Sequence, residues 1–184
     1  ADVAALLRCL RRLYAAGMPD EALRAIGLTV GSDVPFCVSG GTSLAEGRGE
    51  RLTDLPPLPV CQIVLCKPDF GISTPELFVL ADGAVLSKRP DIAGLTAALQ
   101  GGELTGVTDR LCNVFEEFLP ERYQEVFRIK EILLAHGALN AAMSGSGPTV
   151  YGIFESAAEA QRAAEVLKKS YQQTYVAKPV KKLV

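Results

Sequence analysis

The stretch Gly31-Ser32-Asp33-Val34-Pro35-Phe36 places one carboxylate between a small polar pair and an apolar run. Asp33 beside Ser32 reads first as a helix cap or an Asx-turn. With apolar Val34, Phe36 and Val38 following, the sequence also predicts a partly dry helix start. There a carboxylate is held ionised and can take a proton from a hydroxyl. A second stretch, Ser144-Gly145-Ser146-Gly147-Pro148-Thr149, lies between two apolar runs. Its plain reading is a tight strand connection. Its chemical reading is a loop whose glycines let a ligand approach the backbone and whose N–H groups face an anion. It is not a Walker loop, since no Gly-Lys-Ser/Thr follows, and it lacks the first glycine of a nucleophile elbow. Gly40-Gly41-Thr42 through Ala45-Glu46-Gly47-Arg48-Gly49-Glu50 reads as a loop and hairpin. Gly71-Ile72-Ser73-Thr74-Pro75-Glu76-Leu77-Phe78 reads as a capped helix start, with Thr74 as cap, Pro75 at the first helical position and Phe78 in the core.

Other chemistry is thinly represented. His136 is the only histidine, so any Ser-His-Asp or Cys-His site would need it. It stands before Gly137 in the last turn of a helical pattern, where histidine commonly complements the helix dipole. The five cysteines, Cys9, Cys37, Cys61, Cys66 and Cys112, are odd in number and contain no CxxC pair. They predict reduced, mostly buried thiols rather than a disulfide framework or a zinc site.

These residues need elements to hold them. Val3, Leu6, Leu7, Leu10, Leu13 and Tyr14 recur at helical spacing before Gly17, and a short helix is expected over roughly 20–26. Short extended pieces surround 42–45. Leu55-Pro56-Pro57-Leu58-Pro59 is the best linker candidate. Val60–Cys66 reads as a buried strand. Helical patterns follow over about 91–99, 103–118 and 121–136. Ala138–Met143 and Thr149–Phe154 read as strands. Ser156 with Glu159 forms a capping-box signature for a helix through Lys169, and Thr174–Pro179 is a last strand. The second part is an α+β pattern. At 184 residues, with 48% hydrophobic and 22% charged residues, the chain has an ordinary globular composition. A net charge of -2 argues against a broad duplex-binding face. The tail Lys178, Lys181, Lys182 reads as a solvated end. No run reaches the roughly 20 apolar residues of a membrane span, and no signal-peptide pattern is present. The chain begins at Ala1 inside a helical pattern, which predicts that something precedes it.

The four stretches, in this order, resemble the GHMP kinase superfamily, and within it the branch that phosphorylates a cytidine-diphosphate methylerythritol in non-mevalonate isoprenoid biosynthesis. The likeness runs from the first helix to about Pro179, and Ala142-Met143-Ser144-Gly145-Ser146-Gly147-Pro148-Thr149 joined to Asp33-Val34-Pro35-Phe36 is its most specific part. The resemblance implies an α+β, two-domain architecture. Residues 1–57 would be the end of an N-terminal domain and residues 58–184 a C-terminal α/β sandwich, with the active site in the cleft between them. It implies that Asp33 is the catalytic base, that Ser144, Gly145, Ser146 and Gly147 help shape the ATP phosphate region, and that Thr74 and Phe78 line a cytidine pocket. ATP and Mg2+ would be the cofactors, with no metal ligand among these residues. The partner would be a small molecule rather than nucleic acid or membrane, in a bacterial cytoplasm or plastid stroma. Two features depart from the family. Its Gly-Gly-Gly-Ser-Ser loop is absent before Ala1, so the length stands about 100 residues short of a two-domain kinase. The family more often carries Asp where Val114 follows Asn113. Alternatives are another GHMP kinase of homoserine or mevalonate type, or a non-catalytic small-molecule-binding module.

Overall fold

The computed structural model describes residues 1–83, 85–87 and 89–180; Lys181 and Lys182 lie outside the described residues. The described residues divide into two compact units, Ala1–Pro57 and Leu58–Pro179.

In the first unit, α1 (Asp2–Tyr14), α2 (Asp20–Val30) and α3 (Val34–Ser39) enclose Ala4, Leu23, Val34 and Val38. Helix α2 runs past the expected end at 26 because Gly27 is a packing residue rather than a stop. A Cβ there would lie 2.6 Å from Cγ1 of Val34. The hairpin β1 (Thr42–Glu46) and β2 (Arg51–Leu55) follows, with Thr42 opposite Leu55 and Glu46 opposite Arg51.

The second unit is built on a four-stranded antiparallel sheet. Its strands are β3 (Gln62–Lys67), β4 (Asn140–Met143), β5 (Val150–Phe154) and β6 (Gln173–Ala177), in the order β4-β5-β3-β6. Helices α7 (Glu125–Ala135) and α8 (Ala157–Lys168) pack against the sheet. Strand, helix, two strands, helix and strand in that order make a split βαβ arrangement. Alternation aims Val64 and Cys66 of β3, with Met143, Val150 and Phe154, into one core shared with Val126, Ile129, Leu133 and Leu167. Ser156 caps α8 by accepting from the Glu159 N–H. Helices α4 (Thr74–Asp82), α5 (Ile92–Gly101) and α6 (Leu104–Thr108) complete the unit.

The helix expected over 103–118 is broken. Helix α6 ends at Thr108, and Val114–Phe118 forms a 3-10 turn. Asn113 is the cause, because its side-chain oxygen accepts from the Phe115 N–H and so competes with the helical ladder. His136 ends α7 with Nδ1 against the Ile132 carbonyl at 2.8 Å. The thiols are less buried than expected. Cys61 and Cys66 are buried, and burial pushes both thiols up, while Cys9 and Cys112 are exposed. Among the described residues, no helix is long and apolar enough to cross a membrane.

Candidate active site

The turn that carries Asp33 is set between two helices. Gly31 ends α2, and the Val34 N–H returns to the Gly31 carbonyl at 3.1 Å. Asp33 stands at the N-cap position of α3 but does not cap it. Its ψ of -11° is helical rather than the extended value a capping side chain uses, and Pro35 at the second helical position has no N–H to offer. The carboxylate is exposed, which corrects the expectation of a partly dry site: Val34 and Pro35 turn inward and Asp33 does not. Among the described residues its side chain has no hydrogen bond or ion pair, so it stays available to a ligand.

The hairpin turn at 47–50 buttresses this segment. Gly49 has φ +107°, and a Cβ there would stand 2.5 Å from the Ser32 carbonyl oxygen. Glu50 folds back so that its carboxylate accepts from the Arg48 N–H at 2.6 Å. Backbone N–H groups of Glu50 and Arg48, then the Arg51 and Arg48 charges, hold that carboxyl below its usual range. The third stretch is therefore a hairpin, as its plain reading had it, and its turn is seated one residue before Asp33.

In the second unit the Ser144–Thr149 loop joins β4 to β5. The Ser144 N–H donates to the Thr149 carbonyl at 2.8 Å, and the Gly147 N–H to the Ser144 carbonyl at 2.9 Å. Gly147 has φ +75°, and a Cβ there would meet Sδ of Met143 at 2.4 Å, so this position is closed to side chains. At Gly145 a Cβ would meet nothing within 4 Å, which leaves the backbone open to a ligand. Ser146 Oγ and Thr74 Oγ1 are 2.7 Å apart, so two residues singled out in separate stretches meet here. Thr74 is free for this contact because Ser73, not Thr74, caps α4 by accepting from the Glu76 N–H at 3.4 Å.

Two residues that the sequence reading did not single out grip the same loop. Asn113 Nδ2 donates to the carbonyls of Met143 at 2.7 Å and Gly145 at 2.8 Å. Glu116 accepts from the Met143 N–H at 2.6 Å through one oxygen and pairs with Lys130 through the other. The sequence reading ran one helix through 103–118, so the one trace of them there is the departure from the family noted at Asn113-Val114. A cavity of about 350 Å³ opens beside the loop, lined by Cys112, Asn113, Val114, Ser144, Gly145 and Tyr151 among others. Burial, then the Glu116 charge, pushes the Tyr151 phenol up.

Phe78 is not in the core. Leu77 takes the buried face of α4, and the next residue, some 100° around the helix, is 55% exposed. Its ring meets Phe115 edge-to-face at 5.3 Å, and Phe115 meets Phe118 likewise at 6.0 Å. Phe115 ties this aromatic row to the 3-10 turn that grips the loop. Thus Thr74, Phe78 and Ser144–Gly147 share one neighbourhood of the second unit, while Asp33 belongs to the first. Among the described residues, no group of three His, Cys, Asp or Glu side chains could hold a metal ion.

The chain is similar to known proteins. The family described as GHMP kinases C terminal matches residues 95–173. The chain is 37% identical over 180 residues to the 4-diphosphocytidyl-2-C-methyl-D-erythritol kinase of Clostridium acetobutylicum, covering 98% of this chain and 64% of that protein. It is 42% identical over 181 residues to the kinase of the same name from Enterococcus faecalis, covering 98% and 63%. A crystal structure of 4-(cytidine 5'-diphospho)-2C-methyl-D-erythritol kinase superposes with TM-score 0.76 at 28% identity, over 96% of this chain and 62% of that one. Leishmania (L.) major mevalonate kinase superposes with TM-score 0.74 at 17% identity, over 98% and 64%, and shares the fold. The chain therefore spans less than two thirds of the length of the curated relatives it matches.

Proposed function

We propose that this chain belongs to the GHMP kinase family and serves in the ATP-dependent phosphorylation of the 2-hydroxyl of 4-diphosphocytidyl-2-C-methyl-D-erythritol. The observation that carries the reading is 37% and 42% identity across 98% of the chain to two enzymes bearing that kinase name. ATP, when bound, supplies the phosphoryl group. In such transfers the protein mainly positions the reactants and stabilises charge.

Asp33 takes the proton of the acceptor hydroxyl as its oxygen forms the new bond to phosphorus. An exposed carboxylate with no protein partner among the described residues suits that task. The Ser144–Gly147 loop contributes backbone N–H groups to the phosphate region, since those of Gly145 and Ser146 have no acceptor among the described residues. Thr74 offers its hydroxyl beside Ser146, and the exposed ring of Phe78 offers a face for the pyrimidine, a stack worth about 1–3 kcal/mol. Magnesium accompanies ATP in this chemistry and takes one or two carboxylates besides the phosphates and water.

The acceptor decides between this and its neighbours. The complete polypeptide encoded by the gene is incubated with ATP and, separately, with cytidine-diphosphate methylerythritol, homoserine and mevalonate, and products are read by phosphorus NMR. A new phosphate on the cytidyl acceptor alone is expected. A product with homoserine or mevalonate instead would sink the substrate assignment. ATP left intact with all three would favour a binding module.

A further inference from the structure

We propose that Asn113 and Glu116, braced by Lys130, are positioning residues that aim the backbone N–H groups of the Ser144–Gly147 loop at the phosphates of a nucleotide. The nucleotide part of this proposal rests on the kinase reading above, whereas the positioning itself does not.

The argument starts from the planar trans peptide, in which the C=O of one residue and the N–H of the next point in opposite directions. Fixing a carbonyl therefore fixes the following N–H. Asn113 spends both hydrogens of its carboxamide on the carbonyls of Met143 and Gly145, at 2.7 and 2.8 Å. The N–H groups of Ser144 and Ser146 must then point away from Asn113. That of Ser144 finds the Thr149 carbonyl at 2.8 Å. That of Ser146 finds no acceptor among the described residues. The intervening Ser144 carbonyl is also fixed, because it accepts from the Gly147 N–H at 2.9 Å. This in turn directs the N–H of Gly145, which also has no acceptor among the described residues. All three carbonyls from Met143 to Gly145 are thus engaged, leaving two adjacent N–H groups without an acceptor among the described residues, at exposed Gly145 and half-buried Ser146. Consecutive N–H groups of this kind form an anion-binding nest.

The gripping turn is itself held in one orientation. The side-chain oxygen of Asn113 accepts from the Phe115 N–H at 3.0 Å, so the carboxamide cannot be turned over without opposing oxygen to oxygen and N–H to N–H. Three residues on, Glu116 accepts from the Met143 N–H at 2.6 Å. Its second oxygen pairs with Lys130 of α7, and both side chains are largely shielded, at 14% and 20% exposure. Met143 is therefore held through its N–H by Glu116 and through its C=O by Asn113, at the last residue of β4. The loop leaves the sheet from a fixed peptide plane.

The test is Asn113→Asp, which keeps the shape and replaces two donors by an oxygen facing two carbonyls. In the complete polypeptide without nucleotide, NMR amide exchange should show Ser144 and Gly147 losing protection while the β5 amides keep theirs. In the complete polypeptide the KM for ATP should rise roughly tenfold to a hundredfold, from two lost hydrogen bonds, with the KM for the acceptor nearly unchanged. Glu116→Gln keeps an acceptor for Met143 but loses the charge pair, so the same readouts should move in the same direction by less. It also serves if Asn113→Asp does not fold. Unchanged exchange at Ser144 and Gly147 would overturn the positioning role. Loosened exchange with an unchanged KM for ATP would overturn the link to nucleotide. Loosened exchange in a protein that never consumes ATP would leave the positioning in place and refute the kinase reading instead.

Discussion

Replacing Gly49 by alanine tests whether the hairpin seats the Asp33 turn. An L-residue forced to positive φ costs about 1–2 kcal/mol, and Gly49 sits at φ +107°. The new methyl would also stand 2.5 Å from the Ser32 carbonyl oxygen, a backbone atom that cannot rotate aside. Overpacking of that kind costs about 1–3 kcal/mol more. The sum, roughly 2–5 kcal/mol, corresponds to a loss of roughly 10 °C in Tm for a chain of this size. Relief requires the hairpin turn or the Ser32-Asp33 segment to shift. A shift of about 1 Å in a reacting group costs on the order of a hundredfold in rate. Gly17→Ala is the control, since a Cβ there meets nothing within 4 Å and no positive φ is involved. It should stay within about 0.5 kcal/mol of the parent. Thermal unfolding and turnover of the complete polypeptide are measured side by side for both variants. If Gly49→Ala melts and turns over like Gly17→Ala, the close approach does not hold the Asp33 turn, and the reasoning from it is wrong.

The Tyr171 hydroxyl donates to Glu125, and burial first, then that bond and the Glu125 charge, push its phenol up to about 12. Its unfolded value is about 10, so the folded chain keeps a proton that the unfolded chain releases. Stability is therefore complete below pH 10 and falls by a few kcal/mol as pH rises to about 12. Denaturant titrations should show Tyr171→Phe with a visibly flatter decline in that window, and an identical decline in both proteins would contradict the assignment. Phe78→Ala should raise the KM for the cytidyl acceptor roughly fivefold to a hundredfold through the lost stack while leaving the KM for ATP in place. Equal weakening of both would mean that the contact with Phe115 props up the fold instead.

Much of the frame was legible because it is local. The compact apolar run Val60–Cys66 located β3, although the strand itself spans Gln62–Lys67, after the prolines. The Ser156–Glu159 signature gave the start of α8, and Ser73 did the capping that the sequence had assigned to its neighbour Thr74. What local pattern misread was decided by tertiary contact. The second helix was expected to end near 26 but runs on because Val34 packs on Gly27, and Phe78 looked like core until Leu77 took the inner face. The grip of Asn113 and Glu116 on Met143 and Gly145 joins residues about 30 apart, and no periodicity encodes such a contact. The stretches that suggested chemistry were recognised from their order, whereas their hydrogen-bond partners came only with the fold.

The central claim is that Asp33 accepts the acceptor's proton. It is tested most directly by Asp33→Asn in the complete polypeptide, with turnover of the cytidyl acceptor measured at saturating ATP. Because Asp33 is exposed and neither caps α3 nor pairs with another side chain among the described residues, the variant should fold and melt as the parent does. Turnover should fall at least ~100-fold, the effect of removing a general base. Turnover near the parent's would contradict the account and take Asp33 out of the reaction.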